Sequence, residues 1–333
     1  MTSHATHLWR LLVWGRTLAR HGALTGIEKD RNTPAPVRRL ARLARIGARV
    51  PKEPRYAEAF QAIGPAAIKL GQSLATRPDL VGEQAAHDLL SLQDTLPPVP
   101  FSAIRAEIEA SFDRPLEALY ASVEEYPVGA ASIAQVHKAV TTDGRTVAVK
   151  VLRPGIRERF GRDIDTYEWA AAHLEQLGGE ATRLRPRLVV ANLKRWTARE
   201  LDLRREAASA SELAEAMTAV PGYKIPAIDW DRTNGRVMTL EWIDGIKISN
   251  REALIAAGHD VKEIAARLVN TFLRQAIADG FFHADMHQGN LFVLKDGTIA
   301  AIDFGIMGRI DRRARLWLAE ILYGLITGNY RRV

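Results

Sequence analysis

The 333-residue chain carries 46 Lys and Arg residues against 39 Asp and Glu residues, so its formal net charge is +7. Its 47% hydrophobic content can fill a sizeable core and excludes a compositionally disordered chain. Cysteine is absent, which excludes disulfide frameworks, thiolate nucleophiles and cysteine-bound zinc or iron–sulfur sites. No apolar run reaches the ~18 residues of a membrane-spanning helix, and the N-terminus lacks a secretory signal pattern. The composition predicts a soluble, cytoplasmic chain whose basic surface suits an anionic membrane, a phosphorylated ligand or nucleic acid.

Residues 1–55 are predicted to form a basic amphipathic arm, in which Trp, Leu and Arg side chains are mixed. Four arginines at helical spacing share one face of a helix that Pro51 should end. A solvated arm packed on the body fits this pattern, and so does an interfacial helix at lipid headgroups. We expect weak attachment to an anionic membrane surface and no nucleic-acid binding, because no nucleic-acid motif occurs. The four arginines are Arg38, Arg42, Arg45 and Arg49.

Residues 56–125 are predicted to form a helical extension. Pro65 fits a first helical turn, and residues 101–111 are predicted to form a second helix. The proline-rich run at 93–100 predicts a loop or linker before that second helix.

Residues 126–243 are predicted to form a first lobe, in which short strands enclose a helical insertion. Residues 147–152 alternate apolar side chains as a strand does, after a turn predicted at 141–144. The stretch 157–220 is predicted to be mostly helical, and Asn234-Gly235 predicts a β-hairpin.

Residues 244–333 are predicted to form a second lobe, which we expect to be truncated at its C-terminal end. From Asp260 onward the predicted order is a helix, a loop, a short strand pair around Asp296-Gly297 and a final helix. Strands first and helices afterwards predict a bilobal α+β body.

The most specific chemical signal lies near the C-terminus. Asp285 and Asn290 are five residues apart, and Asp303 opens an Asp-Phe-Gly triplet thirteen residues after Asn290. This spacing matches the catalytic loop and the metal-binding triplet of kinases, in which one Asp is the base. Asn290 and Asp303 supply the hard oxygen atoms that hold Mg²⁺ against nucleotide phosphates. A zinc pair of His283 and His287 is the alternative, but no third ligand or catalytic Glu lies in register.

A kinase-like site also needs a lysine on a strand and a loop that holds phosphates. Lys150 ends a Val-Ala-Val-Lys run that resembles the Val-Ala-Ile-Lys of protein kinases, whereas a snorkelling surface lysine is the alternative. In the loop, Gly129 and Val136 match the glycine-rich pattern, but Ala131 and Ala134 replace two of its glycines. Alanine does not allow the backbone conformations open to glycine, so phosphates should be held differently and protein-kinase activity is not expected.

The lysine needs a carboxylate partner, and three candidates lie close together in the helical region. Asp202 and Glu206 share a helix face, where like charges repel unless cations lie nearby. A solvated helix screened by neighbouring arginines fits this stretch as well as a partner for Lys150 does. The third candidate is Glu200.

Taken together, these motifs resemble the UbiB/aarF-domain atypical kinases over about residues 56–320. The resemblance rests on the family's Lys-x-Gly-Gln, alanine-rich loop, Glu-x-Asp, His-Ala-Asp and Asp-Phe-Gly motifs, in this order. They are Lys69-Leu70-Gly71-Gln72, Gly129-Ala130-Ala131-Ser132, Glu200-Leu201-Asp202, His283-Ala284-Asp285 and Asp303-Phe304-Gly305.

The resemblance implies a bilobal protein-kinase-like fold with a helical N-terminal extension, and it implies ATP and Mg²⁺ as cofactors. Lys150 is expected to contact phosphates and pair with Glu206, while Asp285 is the base or water-positioning carboxylate. Asn290 and Asp303 are the expected metal ligands. The remaining implied residues are the nucleotide-loop residues Gly129, Ala130, Ala131 and Ser132, and the regulatory residues Lys69, Gln72, Glu200 and Asp202, which are expected to restrict access of a peptide substrate.

The resemblance also implies an ATPase or a small-molecule or lipid kinase that supports ubiquinone biosynthesis. The implied partners are an isoprenoid quinone precursor or another lipid and other proteins of that pathway. The expected location is the cytoplasmic side of the inner membrane, with anchoring by a C-terminal segment beyond Val333. A nucleotide-gated, non-catalytic lipid-handling module and a soluble phosphotransferase similar to aminoglycoside kinases are the alternatives.

Overall fold

The structure, a computed structural model, describes residues 3–26, 35–92, 97–176, 178, 185–331 and 333. Positions 93–96 of the predicted proline-rich linker lie outside the described residues. The chain divides into two compact units, and the domain boundaries expected after residues 55, 125 and 243 remain predictions. Unit 1 comprises Met1–Pro100, Gly129–Gln135 and Leu152–Leu201, and unit 2 comprises Phe101–Val128, Val136–Val151 and Asp202–Val333.

Helices make up most of the described chain. They are α1 (His4–Arg20), α2 (Ala35–Arg45), α3 (Tyr56–Ile63), α4 (Pro65–Ala75), α5 (Pro78–Val81), α6 (Glu83–Leu90), α7 (Phe101–Phe112), α8 (Ile156–Gln176), α9 (Pro186–Glu200), α10 (Leu203–Met217), α11 (Arg251–Ala256), α12 (Val261–Leu273) and α13 (Arg312–Ile326). Short 3₁₀ turns occur at Leu116–Ala118, Trp230–Arg232 and Gln288–Asn290, and a π-helical turn occurs at Arg274–Asp279.

Strands are short. They are β1 (Tyr120–Val123), β2 (Gly129–Ala130), β3 (Ala134–Thr141), β4 (Thr146–Leu152), β5 (Tyr223–Lys224), β6 (Val237–Glu241), β7 (Ile246–Lys247), β8 (Phe281–His283), β9 (Leu291–Val293), β10 (Ile299–Ala301) and β11 (Met307–Arg309).

In unit 1, small and branched apolar residues hold the helices together. Ala19 and Ala41 pack α1 against α2, and α1 also bonds to α8. His7 Nδ1 lies 3.1 Å from Thr166 Oγ1, and Arg10 pairs with the carboxylate of Asp163. The N-terminal arm is therefore packed on unit 1 rather than free of it.

The arginine row of the arm is shorter than the sequence predicts. Helix α2 ends at Arg45 rather than before Pro51, so Arg49 lies outside it. Gly47 has a φ of +70°, a conformation that ends helices and that glycine adopts without a Cβ penalty. Only three of the four arginines therefore share the helix.

In unit 2, the first sheet has the strand order β1-β3-β4-β6. Strand β1 is antiparallel to β3, and β4 is antiparallel to β6 with Lys150 opposite Met238. Val147, Val149 and Val151 are buried on one face of β4, as the alternating pattern predicts. This packing gives the lysine of β4 a rigid support.

A second sheet in unit 2 has the order β5-β10-β9-β7, with β5 parallel to β10 and β9 antiparallel to β10. The predicted hairpin at Asn234-Gly235 forms, because residues 227–229 bond antiparallel to β6: the Asp229 N–H donates to the Thr239 carbonyl at 2.9 Å and the Glu241 N–H to the Ala227 carbonyl at 2.8 Å. Strand β5 lies before this hairpin and pairs with β10 instead. The side chain of Asn234 accepts from the N–H groups of Arg236 and Val237, which makes a local turn just before β6. Phe281, Leu291, Ile299 and Phe304 belong to the core of this unit.

Candidate active site

Lys150 is held in an ion pair inside unit 2. Its Nζ lies 2.7 Å and 2.8 Å from the two carboxylate oxygens of Glu206, and 3.5 Å from Oδ2 of Asp303. The side chains of Lys150 and Glu206 are only 15% and 9% exposed, so both charges are largely shielded from bulk water. The lysine is thus paired as a buried cation requires, and it is not a snorkelling surface residue.

Glu206 lies in the first turn of α10, where it is buried against the strand that carries Lys150. The helix begins at Leu203 because Asp202 acts as its N-cap and accepts from the Arg204 N–H at 3.3 Å. Asp202 also accepts two bonds from the guanidinium of Arg204. The like charges on this face are therefore separated, one as a cap with its own arginine and one as the lysine partner.

The charges in this cluster shift one another's pKa. Burial alone lowers the pKa of Lys150, but the carboxylates of Asp303 and Glu206 outweigh it and raise that pKa above its ordinary value. The positive charge of Lys150 lowers the pKa of Asp303. Lys150 therefore remains a cation and Asp303 a carboxylate at neutral pH.

Backbone hydrogen bonds hold the loop of Asp285 and Asn290 beside the Asp-Phe-Gly segment. Ile302, immediately before Asp303, donates its N–H to the Asn290 carbonyl at 3.0 Å. Ala284, immediately before Asp285, donates its N–H to the Ile306 carbonyl at 3.0 Å. The predicted hairpin forms as β9 and β10, so the two segments meet as their spacing indicates.

The two histidines of this loop bond to its backbone. His283 is buried, and its Nδ1 accepts from the Asp285 N–H at 3.1 Å, which orients the loop at Asp285. His287 Nδ1 accepts from the Gly289 N–H at 3.2 Å. Within the residues that the structure describes, no group of three or more His, Asp or Glu side chains could hold a metal ion.

Asn290 and Asp303 offer oxygen atoms that fit Mg²⁺. The Asn290 amide nitrogen donates to the Asp285 carbonyl at 3.5 Å, so the side-chain oxygen is the atom that could bind a metal ion. Asp303 Oδ1 accepts from the Gly305 N–H at 2.9 Å, which fixes the carboxylate, and the side chain is 43% exposed. Mg²⁺ prefers sites with one or two protein oxygens completed by water and phosphate oxygens.

The alanine-rich loop lies in unit 1. The Ala131 N–H donates to the Ala134 carbonyl at 2.8 Å, which closes a tight turn. Ser132 is fully buried, and its Oγ has no hydrogen-bond partner within the described part of the chain. Gly129 is exposed, and a Cβ added there meets no described atom within 4 Å. Alanine is therefore sterically compatible with this position.

The Lys-x-Gly-Gln segment lies on α4 of unit 1. Lys69 Nζ is 3.1 Å from Oε2 of Glu200, so the first and third motifs meet through an ion pair. A Cβ at Gly71 would lie 2.5 Å from Leu92 Cδ1 and 2.8 Å from Phe60 Cδ1, so this glycine is needed for close helix packing. Gln72 is half-buried on the same helix.

Two buried polar residues beside the loop were not predicted from the sequence. Arg153 is 8% exposed and Gln135 is fully buried, and both bond to the backbone of unit 1. The position of Arg153 directly after an apolar strand could have indicated a buried and bonded arginine, because a charged residue is costly to bury without partners. Its partners, however, are backbone carbonyls, which no side-chain pattern reveals.

Comparison with protein families gives one match over most of the chain, to the ABC1 atypical kinase-like domain over residues 91–333. The chain belongs to the ABC1 atypical kinase-like family. The expected resemblance and the α+β kinase-like fold with a helical N-terminal extension are thereby confirmed.

Curated relatives of this ABC1 chain include proteins named probable protein kinase UbiB. The one from Marinobacter nauticus (strain ATCC 700491 / DSM 11845 / VT8) is 41% identical over 83% of this chain and 51% of its own length. The one from Xylella fastidiosa (strain M12) is 37% identical, also over 83% of this chain and 51% of its own length. The chain therefore spans about half the length of the curated relatives that it matches.

A solved structure also matches. It is the complex of Rv3197 with erythromycin from Mycobacterium tuberculosis, which is 29% identical and has a TM-score of 0.55. The match covers 80% of this chain and 67% of that chain. Across the described residues, no helix has both the length and the apolar character needed to cross a membrane.

Proposed function

We propose that the chain binds ATP and Mg²⁺ and acts as an atypical kinase-fold ATPase or small-molecule or lipid kinase that supports ubiquinone biosynthesis. The ion pair of Lys150 with Glu206, beside Asp303, carries the proposal, because kinases need this combination to hold nucleotide phosphates. The family membership and the relatives named UbiB support the pathway.

Each site residue has a proposed task. Lys150 neutralises charge on the α- and β-phosphates, and Glu206 keeps its ammonium in place. Asn290 and Asp303 hold the Mg²⁺, which supplies neutralisation of phosphate charge when bound. Asp285 positions water or an acceptor hydroxyl and takes its proton, since its carboxylate is exposed on a loop tied to its neighbour segment.

The alanine-rich loop and the Lys-x-Gly-Gln helix support a phosphotransfer or ATPase activity that excludes peptide substrates. Residues 129–132 are proposed to bind phosphates with less backbone freedom than a glycine-rich loop has. Lys69, Gln72, Glu200 and Asp202 are proposed to regulate access, which disfavours peptide substrates and protein-kinase activity. The pair of Lys69 with Glu200 supports this by fixing the helix that carries the motif.

The N-terminal arm is proposed to hold the protein peripherally at an anionic membrane surface on the cytoplasmic side. Exposed apolar side chains at Trp9, Leu12, Leu40 and Leu43 lie on α1 and α2 beside arginines. Such a mixture suits the headgroup region of a bilayer. Quinone precursors are apolar, so a membrane location brings the protein to them.

The test is nucleotide binding and phosphate release by purified protein, with and without Mg²⁺ and with vesicles containing anionic lipid. Wild type is expected to bind ATP in an Mg²⁺-dependent way and to release phosphate faster with vesicles. Lys150→Ala and Asp303→Asn are expected to lose both properties, whereas the exposed Arg195→Lys on α9 should retain them. Variants that behave like wild type would refute the site assignment.

The pathway is tested separately in cells. A strain that relies on this gene product and carries Asp303→Asn is expected to accumulate a quinone precursor relative to wild type. An unchanged profile of quinone intermediates removes the pathway but leaves the nucleotide chemistry intact.

A soluble phosphotransferase is the second candidate, favoured by the similarity to a protein solved with erythromycin. In this case the acceptor is a soluble small molecule, and the lysine of the Lys-x-Gly-Gln motif has no function in the pathway. Cellular complementation by Lys69→Ala would support this candidate, and loss of complementation would refute it. A non-catalytic, nucleotide-gated lipid module predicts instead that Asp285→Asn changes no measurable turnover.

A further inference from the structure

Arg153 is a buried cation that bonds to the alanine-rich loop. It follows β4 directly and is 8% exposed. Its Nε donates to the Ala131 carbonyl at 2.8 Å, and its Nη1 donates to the Pro97 carbonyl at 2.9 Å. Its backbone N–H donates to the Ile133 carbonyl at 2.8 Å. One residue thus holds two points of the loop and the chain segment at Pro97.

A second contact joins the same two segments. Gln135, at the end of the loop, is fully buried, and its Oε1 accepts from the Val99 N–H at 2.5 Å. Residues 97–99 and 131–135 are therefore connected twice, once through each polar side chain. Buried side chains that are fully bonded in this way fix a single backbone conformation.

Arg157, four residues after Arg153 and in the first turn of α8, makes the corresponding contact with the Glu-Leu-Asp motif. Its Nε and Nη2 donate to the Leu201 carbonyl at 3.1 Å and 2.6 Å. Leu201 is the middle residue of Glu200-Leu201-Asp202 and follows the last residue of α9. The segment 153–157 therefore touches the backbone of two separate motifs.

We infer that Arg153 and Arg157 are positioning residues, which set the backbone of the alanine-rich loop and of the Glu-Leu-Asp turn respectively. The consequence for nucleotide binding rests on the proposed function. Arg153 bonds to carbonyl oxygens, so it fixes the loop without using the N–H groups that bind phosphate in such loops. In this loop alanine replaces glycine, so the hydrogen bonds from Arg153 hold the backbone conformation that glycine would otherwise allow. The planar guanidinium is essential, because it bonds to two carbonyls that lie in different directions.

The experiment compares the Arg153→Lys variant with wild type and with Arg195→Lys, which changes an exposed arginine bonded within α9 to Asn192. Hydrogen exchange is measured without nucleotide, and the KM and kcat for ATP are measured with Mg²⁺. Arg153→Lys should raise amide exchange at Val99 and in 129–135 by about tenfold, and exchange in β6 should not change. The KM for ATP should rise by about tenfold with kcat within about twofold of wild type.

Arg157→Lys is the second variant, and it leaves the contacts of Arg153 in place. Faster exchange is expected around Leu201 and not in 129–135. Unchanged exchange in the loop of Arg153→Lys overturns the inference, and so does an unchanged KM in a protein that hydrolyses ATP. Failure of the proposed function is visible in wild type alone, as an absence of ATP binding, and the exchange data then still decide whether Arg153 positions the loop.

Discussion

Lys150 and Glu206 are 56 positions apart in the chain, yet the lysine Nζ lies within 2.8 Å of both carboxylate oxygens of the glutamate. The pair joins strand β4 to the first turn of α10, and Asp303 approaches the same nitrogen at 3.5 Å. The charges of Lys150, Glu206 and Asp303 therefore lie together in one partly buried site in unit 2. Loss of any one of them should affect both stability and ligand binding.

Glu206→Gln is expected to destabilise the protein, because it leaves Lys150 buried with only Asp303 as a countercharge. Removing one partner of a buried ion pair typically costs about 3 kcal/mol. Urea unfolding measures the loss. The matched control is Glu212→Gln on the same helix, where an exposed pair with Arg309 is removed and a much smaller loss of stability is expected. Equal effects of the two substitutions would contradict the prediction.

Asp303→Asn is expected to reduce the acid sensitivity of the fold. Lys150 lowers the pKa of Asp303 in the folded state, so the folded protein binds this proton less readily than the unfolded chain does. The stabilisation is fully present above the ordinary pKa of 3.8 and is lost as the pH falls through the lower, folded value. Thermal unfolding measured from pH 6 down to pH 3 should show a shallower decline for Asp303→Asn than for wild type. A steeper decline would refute the assignment.

Gly71→Ala is expected to weaken the packing of the helical extension. The new methyl group would lie 2.5 Å from Leu92 Cδ1 and 2.8 Å from Phe60 Cδ1, so neighbouring side chains must move. Overpacking of this kind costs about 1–3 kcal/mol. Gly129→Ala is the control, because its methyl group meets no described atom within 4 Å, and its stability should stay within about 0.5 kcal/mol of wild type. Thermal unfolding of both variants distinguishes the two sites.

Lys69 and Glu200 are expected to be energetically coupled. Their charged atoms are 3.1 Å apart, and the side chains are 16% and 27% exposed, so water screens the pair only in part. A double-mutant cycle with Lys69→Met and Glu200→Gln should give a coupling free energy of about 1 kcal/mol. Strictly additive effects in urea unfolding would show that the contact contributes nothing to stability.

Binding to anionic vesicles is expected to depend on α2 and on salt. Arg39 and Arg42 are exposed beside Leu40 and Leu43, so charge and apolar contact act together. Co-sedimentation should fall when Arg39→Glu and Arg42→Glu are combined, and it should fall for wild type as the salt concentration rises. Arg195→Glu on α9 is the control, because it changes the net charge as much as either Arg39→Glu or Arg42→Glu does alone. It should change vesicle binding little. Binding that ignores salt would contradict the prediction.

Local patterns predicted most of the secondary structure, because they depend on neighbours in the chain. The alternation in 147–152 appears as β4, and the first turn at Pro65 appears as the start of α4. What the patterns did not predict concerns long-range pairing and a helix end. Asn234-Gly235 predicts the hairpin that joins residues 227–229 to β6, but it cannot specify that β5 pairs with the distant β10. The arginine row does not reveal that Gly47 ends α2 after Arg45.

The sequence by itself determined the loop of Asp285 and Asn290 and its proximity to Asp303. The short hairpin of β9 and β10 leads away from Asn290 and brings the chain back beside it at Ile302, next to Asp303. The charge pattern left three candidate carboxylates for Lys150, the family resemblance implied Glu206, and only the tertiary structure shows the physical basis of that pairing. Glu200 ends α9 and contacts Lys69, whereas Glu206 lies in the first turn of α10 and is buried beside β4. The physical reason is the helix break at Asp202, which caps a new helix, so that carboxylates six residues apart belong to different units and pair with different lysines.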